Sequence, residues 1–165
     1  MPSTRKRALV RTRARGLVRG YLDPQDFREG ASVQFLSPDG QLVRLPVADI
    51  KAIYFVSSFD VAENLGERRT ARSRPRLDGL WVRVRFHDHD TLEGLLGNNL
   101  LDLDGRGLYL SPASISADFQ RVYIPRESIA SATVLGVIGN QRTATRRTHP
   151  AIADASQGDL FANRI

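Results

Sequence analysis

Basic side chains at the start of the chain are the first candidates for chemistry. The first 20 residues contain seven lysine and arginine residues and no acidic residue. A flexible basic segment gains affinity for a polyanion because each contact releases counterions from a phosphate. The segment therefore predicts a phosphate-binding arm, although a solubilising tail followed by a strand with one wet face has the same composition. The candidate residues are Arg5, Lys6, Arg7, Arg11, Arg13 and Arg15.

A second set combines an arginine pair with a later acidic, glycine-rich turn. Arg72 and Arg76 form the pair, and Asp102-Leu103-Asp104-Gly105-Arg106-Gly107 forms the turn. This spacing resembles the signature of PilZ domains, which are receptors for cyclic di-GMP. The family has serine where this chain has Asp104, and that carboxylate would repel a dianionic ligand unless Arg106 intervened. The resemblance implies that the ligand contacts Arg72, Arg76, Asp102, Asp104 and Gly107.

The run His87-Asp88-His89-Asp90 offers possible metal ligands. Residues two apart in a hairpin point to the same side, so His87 and His89 could converge on a cation while Asp88 and Asp90 form a second pair. The remaining histidine is His149 in the tail, so we expect a solvated turn and no metal site. Cysteine, a Gly-x-Ser-x-Gly motif, a phosphate-cradling glycine-lysine loop and a dinucleotide fingerprint are all absent. The prediction is a non-enzymatic protein without a cofactor.

The chain contains one unit twice, and this duplication must position the candidate residues. Leu9 to Arg13 matches Trp81 to Arg85, and Leu36-Ser37-Pro38 matches Leu110-Ser111-Pro112. In this alignment a length change falls in the first turn, where Ala14-Arg15-Gly16 faces the longer Phe86 to Asp90, and the second copy adds residues 113–117 before its fourth strand. Turns accept such insertions more readily than strands.

Each copy shows alternating apolar and polar residues, the period of a half-buried strand. The pattern predicts strands at 9–13, 17–22, 32–37, 41–45 and 50–56 and again at 81–86, 91–97, 107–111, 120–124 and 129–136. Short strands at this spacing favour a small barrel. The run Ile50 to Val56 is nearly continuous in apolar residues, and we expect the sister repeat to cover it.

The hydrophobic strand, polar turn and Leu92-Glu93-Gly94 within Trp81 to Leu96 resemble the first half of an Sm-type motif. The whole arrangement, including Asp49 to Val56, also resembles an uncharacterised bacterial family with two such halves in tandem. The Sm-like resemblance implies single-stranded RNA as ligand, with Asn98 and Asn99 as base contacts and Arg106 as a phosphate contact.

We therefore expect an all-β protein with two tandem five-stranded small-barrel repeats of the Sm-like or SH3-like type. The expected boundaries are a basic tail at 1–8, repeat 1 at 9–56, an arginine-rich flexible linker at 57–79, repeat 2 at 80–138 and a disordered tail at 139–165. A copy of about 50 residues is marginal alone, so the copies should pack together. The pattern leaves open whether they form two barrels or share strands in one.

Composition narrows the location and the partners. No stretch approaches the roughly 20 apolar residues of a membrane span, and the N-terminus lacks the apolar centre of a secretion signal. We expect a cytoplasmic protein that does not contact membranes. The formal charge is +6, and 22 of the 24 basic residues are arginine. The predicted function is a binding or regulatory module for a phosphate-bearing anion, with RNA favoured; cyclic di-GMP and a protein partner remain alternatives.

Overall fold

The computed structural model describes residues 4–60, 68–69, 78–97, 105–112 and 119–139, and their regular structure is almost entirely β-strand. The first repeat contains β1 Lys6–Thr12, β2 Leu17–Leu22, β3 Arg28–Glu29, β4 Ser32–Leu36, β5 Leu42–Pro46 and β6 Ile50–Val56. After β7 Arg68–Arg69, the second repeat contains β8 Gly79–Phe86, β9 Thr91–Leu96, β10 Gly107–Pro112, β11 Phe119–Pro125 and β12 Ile129–Ile138. The 3₁₀ turns Val47–Asp49 and Arg126–Ser128 precede β6 and β12. The all-β prediction is confirmed.

All of these strands belong to one open sheet, in the order β12-β8-β9-β10-β11-β6-β1-β2-β4-β3, with β5 on β4 and β7 on β9. Every described pair is antiparallel except the short β7–β9 pair. Each repeat has five main strands: β1, β2, β4, β5 and β6 in the first, and β8 to β12 in the second. Across the sheet, the main strands of each repeat follow one order, namely fifth, first, second, third and fourth. The two repeats join where β11 pairs with β6, and we call this junction the seam. Because one sheet runs through both repeats, a division into two separate barrels is not confirmed.

Two apolar cores lie on opposite faces of the central strands. Leu9 and Tyr54 pack with side chains of the second repeat, including Leu110. Val10 and Ile53 point to the other face and join the core of the first repeat. Strand β6 is consequently buried along its whole length, as expected for an apolar run with both faces covered. The seam places β11 of the second repeat along β6, which confirms that the sister repeat covers this run.

The register of the first strands corrects the sequence alignment of the repeats. Ala8 pairs with Gly20, and Val82 pairs with Gly94, so Ala8 and Val82 are equivalent. The predicted match of Leu9 with Trp81 is therefore wrong by two residues. A shift of two preserves the alternation of faces along a strand, so the hydrophobic pattern could not reveal the error.

The same correction removes the predicted difference between the first turns. In Thr12–Gly16, Thr12 N–H donates to Gly16 O over 2.9 Å and Arg15 N–H donates to Thr12 O over 3.1 Å. In Phe86–Asp90, Phe86 N–H donates to Asp90 O and His89 N–H donates to Phe86 O over the same two distances. The turns have equal length, and the expected insertion is absent.

The Leu-Ser-Pro match is also displaced, by one residue. Tyr21 pairs with Leu36, whereas its equivalent Leu95 pairs with Ser111. Phe35 and Leu110 are thus the equivalent residues, and both are buried. The buried side chain sets the register of a strand with one core-facing side, and a shared tripeptide does not.

Candidate anion-binding site

Strand β1 divides the basic residues of the N-terminal segment into two groups. Its middle residues, Ala8 to Val10, are fully buried between the two cores. Arg7 and Arg13 therefore lie on either side of a buried stretch, roughly 20 Å apart at the rise of an extended strand. The six candidate residues do not form one continuous surface.

The first group lines an open cavity of about 570 Å³ at the start of β1. The end of β6 and the start of β11 complete its walls, so the cavity lies at one end of the seam. Among the described residues that line it, none is a carboxylate. These residues are Arg5, Lys6, Arg7, Tyr21, Val56, Ser57 and Gln120.

Neighbouring contacts hold this wall in place. Arg7 Nη1 donates to the carbonyl oxygen of Ser57 over 2.9 Å, which ties the start of β1 to the end of β6. The ring of Tyr21 meets Phe59 edge to face, with centroids 5.5 Å apart. The cavity therefore combines positive charge with an aromatic side chain that is already oriented by a neighbour.

Asp23 is the carboxylate whose charge interacts with this group. Its oxygens accept hydrogen bonds from the backbone N–H of Gln25 over 3.0 Å and from Thr4 Oγ1 over 2.8 Å. These bonds, led by that from Gln25, hold the pKa of Asp23 below its usual value, and the charge of Arg5 acts in the same direction. The carboxylate thus orders the chain just before Arg5 without lining the cavity.

The second group, at the other end of β1, includes one contact between the repeats. The Arg13 guanidinium donates to the backbone carbonyl of Glu127 in the second repeat. Arg15 occupies the turn with a positive φ of 64°, and Arg11 lies half-buried on β1. Arg13 therefore has a structural role across the seam, which the sequence did not reveal.

Arg106 and Gly107 lie at the start of β10. The carbonyl oxygen of Arg106 accepts hydrogen bonds from Arg28 Nη1 over 2.6 Å, from the Tyr123 hydroxyl over 3.0 Å and from Arg126 N–H over 3.0 Å. Gly107 is buried, and a Cβ there would lie 2.6 Å from both the Ile124 carbonyl oxygen and the Tyr123 hydroxyl oxygen. Close packing of β10 on β11 thus requires glycine at this position.

Arg28 was not singled out from the sequence, yet it connects the two repeats. Besides Arg106, it donates to the Tyr123 hydroxyl over 3.0 Å and pairs with Glu127 over 2.9 Å. Partial burial acts to lower the pKa of Arg28, but Tyr123 and Glu127 together raise it above its usual value. A lone arginine in a polar loop gave no signal of this role.

Asn98 and Asn99 of the RNA set, and Arg72, Arg76, Asp102 and Asp104 of the cyclic di-GMP set, lie outside the described residues.

The acidic residues of the Phe86–Asp90 turn converge on Lys51. Asp88 and Asp90 share one side of the turn, as their spacing predicts, and both accept hydrogen bonds from Lys51 Nζ. Lys51 is buried with its ammonium group 4.9 Å from the Phe86 ring centroid. Within the described ranges, no cluster of three or more possible metal ligands occurs. The signal for this contact was a single lysine in the otherwise apolar run Ile50 to Val56.

A model of a family of unknown function, DUF6982, matches residues 4–136. The chain belongs to this family. No curated protein and no solved structure matches the chain. Membership in DUF6982 agrees with the resemblance to an uncharacterised family, whereas the Sm-like and PilZ resemblances are not confirmed.

In this DUF6982 chain, the described part of the molecule contains no helix long and apolar enough to cross a membrane. The basic cavity beside β1 and the acidic turn around Lys51 lie at different places along the seam. The cavity brings Arg5, Lys6 and Arg7 of the predicted set together.

Proposed function

We propose that this DUF6982 protein is a non-enzymatic, cytoplasmic binding module for single-stranded RNA, with Sm-like repeats. One observation carries the proposal: three basic residues meet at a cavity, and no carboxylate is among the described residues that line it. The shared strand order of the two repeats supports the small-barrel interpretation.

The cavity suits a phosphate-bearing ligand in size and chemistry. Its volume of about 570 Å³ falls within the range of small-molecule sites, so it accommodates a nucleotide unit. Arg5, Lys6 and Arg7 supply positive charge, which attracts phosphates through counterion release. Gln120 and Ser57 add hydrogen-bonding groups, and Tyr21 offers a ring face of the kind on which bases stack. Backbone phosphates would carry most of the affinity, so binding should depend weakly on base sequence.

The test measures fluorescence anisotropy of a labelled single-stranded RNA of mixed sequence, titrated with nuclease-treated protein at several salt concentrations. The Arg5→Gln/Lys6→Gln/Arg7→Gln variant should bind roughly 100-fold more weakly at about 0.1 M salt, since three phosphate contacts are lost. Its plot of log K against log[salt] should lose a slope of about 2, at roughly 0.7 per contact for a single strand.

The matched control is Arg19→Gln/Arg85→Gln/Arg126→Gln, which removes the same charge from exposed residues outside the cavity. If both variants lose the same affinity, RNA responds only to net charge and the proposed site is wrong. The proposal of RNA also fails if RNA does not bind while cyclic di-GMP raises the unfolding temperature and Arg76→Ala abolishes that rise.

A further inference from the structure

In the described part of the sheet, four strands have a neighbour on one side only: the two-residue strands β3 and β7, and the longer strands β5 and β12. Among the described residues, β5 pairs with β4 alone and β12 pairs with β8 alone. These strands come from different repeats, because β5 is the fourth main strand of the first repeat and β12 is the fifth main strand of the second. The backbone N–H and C=O groups along an outer edge are available to pair with a further strand.

The seam already joins the same two kinds of strand within the chain. There, β11 is the fourth main strand of the second repeat, and it pairs with β6, the fifth main strand of the first. This contact is heterologous, since the two surfaces that meet are different. A heterologous contact between repeats leaves the complementary surface of each repeat unused at the outside, and β5 and β12 are those two surfaces.

The outer strands are more exposed than their equivalents in the seam. Val134 of β12 is 57% exposed, whereas its equivalent in β6, Phe55, is 2% exposed. Val43 of β5 is half-buried, whereas its equivalent in β11, Val122, is fully buried. Three of the four exposed large hydrophobic residues in the described part of the chain lie on the outer strands: Leu42, Val134 and Val137.

Strand β12 also lacks the features that protect exposed sheet edges. Natural edge strands are commonly short or carry charged residues or proline. The ten residues of β12, Ile-Ala-Ser-Ala-Thr-Val-Leu-Gly-Val-Ile, include no charge and no proline. An edge of this length and composition is suited to strand pairing.

We propose that a second copy of this chain docks head to tail, with β5 of one molecule pairing antiparallel with β12 of the next. The seam supplies the register. Arg121 opposite Phe55, Val122 opposite Tyr54 and Tyr123 opposite Ile53 define it within the chain. The equivalent pairs between molecules are Leu42 opposite Val134, Val43 opposite Thr133 and Arg44 opposite Ala132. Two of the most exposed apolar side chains would then cover each other, and repetition of the contact gives a closed ring or an extended chain.

Sedimentation velocity of nuclease-treated full-length protein over a concentration series tests the assembly without RNA, so the result is independent of the proposed function. The wild type should form species larger than a monomer, and Leu42→Lys and Val134→Lys should each remain monomeric. Leu17→Lys is the matched control, because Leu17 is also an exposed large hydrophobic residue but lies on β2. Thermal unfolding of each variant shows whether it is folded.

A mixture of the two monomeric variants distinguishes head-to-tail pairing from a symmetric dimer. Leu42→Lys keeps an intact β12 edge and Val134→Lys keeps an intact β5 edge, so together they should form a one-to-one complex that grows no further. A monomeric wild type, variants that assemble like the wild type, or a mixture that stays monomeric would each overturn the proposal.

The register has a separate test because the chain contains no cysteine. Side chains directly opposite in an antiparallel pair have Cβ atoms about 5 Å apart, within reach of a disulfide. Oxidised Leu42→Cys/Val134→Cys protein should give covalent multimers on a non-reducing gel. The Leu42→Cys/Val137→Cys control is displaced by three residues, about 10 Å along the strand. Equal crosslinking of the two variants would overturn the proposed register.

Discussion

The two hairpin turns Thr12–Gly16 and Phe86–Asp90 have the same backbone and different chemistry. Their two closing backbone hydrogen bonds correspond, and both place a non-glycine residue at positive φ, Arg15 at 64° and His89 at 68°. The first turn presents Arg13, which donates to a backbone carbonyl of the second repeat. The second turn presents carboxylates, which bind a lysine of the first repeat.

This difference shows that the two repeats share a backbone but not a set of side-chain functions. Lys51 occupies a bulge where β6 pairs with β1, and Ala130 occupies the equivalent bulge in β12. Lys51 is buried beneath the acidic turn, whereas Ala130 is exposed. The charged groups of both turns therefore act across the seam, and they hold two similar halves in one particular arrangement.

Substitution of Lys51 should give the largest difference in stability between equivalent positions of the two repeats. Lys51→Met leaves Asp88 and Asp90 facing each other without a cation, and we expect a loss of about 3 kcal/mol in the free energy of unfolding. Chemical denaturation with urea measures this loss. Ala130→Met at the equivalent exposed position should change stability by less than about 0.5 kcal/mol. Equal effects at the two positions would contradict the comparison.

Gly20 and Gly94 occupy equivalent positions in the second strand of each repeat, so substitutions there test the backbone similarity. A Cβ at Gly20 would lie 2.4 Å from Phe35 Cδ2, and one at Gly94 would lie 2.8 Å from the Ser111 carbonyl oxygen. Gly20→Ala and Gly94→Ala should each destabilise the protein by about 2 kcal/mol, because the second and third strands of each repeat approach too closely for a side chain. Urea denaturation should give similar losses, and a tolerated alanine at one position alone would show that the backbones differ there.

The positive φ values provide a smaller test of the same similarity. Arg15→Gly and His89→Gly should each stabilise the protein by a few tenths to about 1 kcal/mol, since glycine adopts this conformation without steric cost. The measurement is the shift in unfolding temperature of each variant. Ala14→Gly, within the same turn but without a positive φ, should be neutral or destabilising. Stabilisation by Ala14→Gly would contradict this explanation.

The smallest expected effect concerns acid stability. Partial burial acts to raise the pKa of Asp88, but the hydrogen bond from Lys51 and that from Asp90 N–H outweigh it and lower the pKa below 3.8. A carboxyl with a lowered folded pKa contributes stability that is complete above the unfolded pKa and is lost as the pH falls through the folded pKa. The stability contributed by Asp88 should therefore be lost at pH values below about 4.

Asp88→Asn should reduce the dependence of stability on pH below about pH 4. The change should stay below about 1 kcal/mol, because the Asp88 side chain is 36% exposed and the pair is partly screened. Urea denaturation at a series of pH values measures it, with Asp39→Asn in the exposed β4–β5 turn as control. An unchanged pH profile in Asp88→Asn would show that the Lys51 contact does not stabilise the folded state.

Particular residues show how far the sequence could predict this fold and its candidate site. Alternating apolar residues located the ten main strands, and the apolar run Ile50 to Val56 identified a strand buried on both faces. The alternation could not set the register of β1 against β8, since a shift of two residues leaves the pattern unchanged. The basic cluster predicted one phosphate-binding arm that included both Arg7 and Arg13, and nothing local to Arg13 indicated that its guanidinium binds the other repeat.

By itself, the sequence determined the class of structure and the composition of its surfaces, because strand periodicity and net charge are properties of neighbouring residues. Only the tertiary structure decided which strands meet at the seam, where the basic residues separate and which carboxylates reach Lys51. Those features depend on contacts between residues far apart in the chain, such as Lys51 with Asp88 and Arg13 with Glu127. One seam that pairs the fourth strand of one repeat with the fifth of the other decided all three.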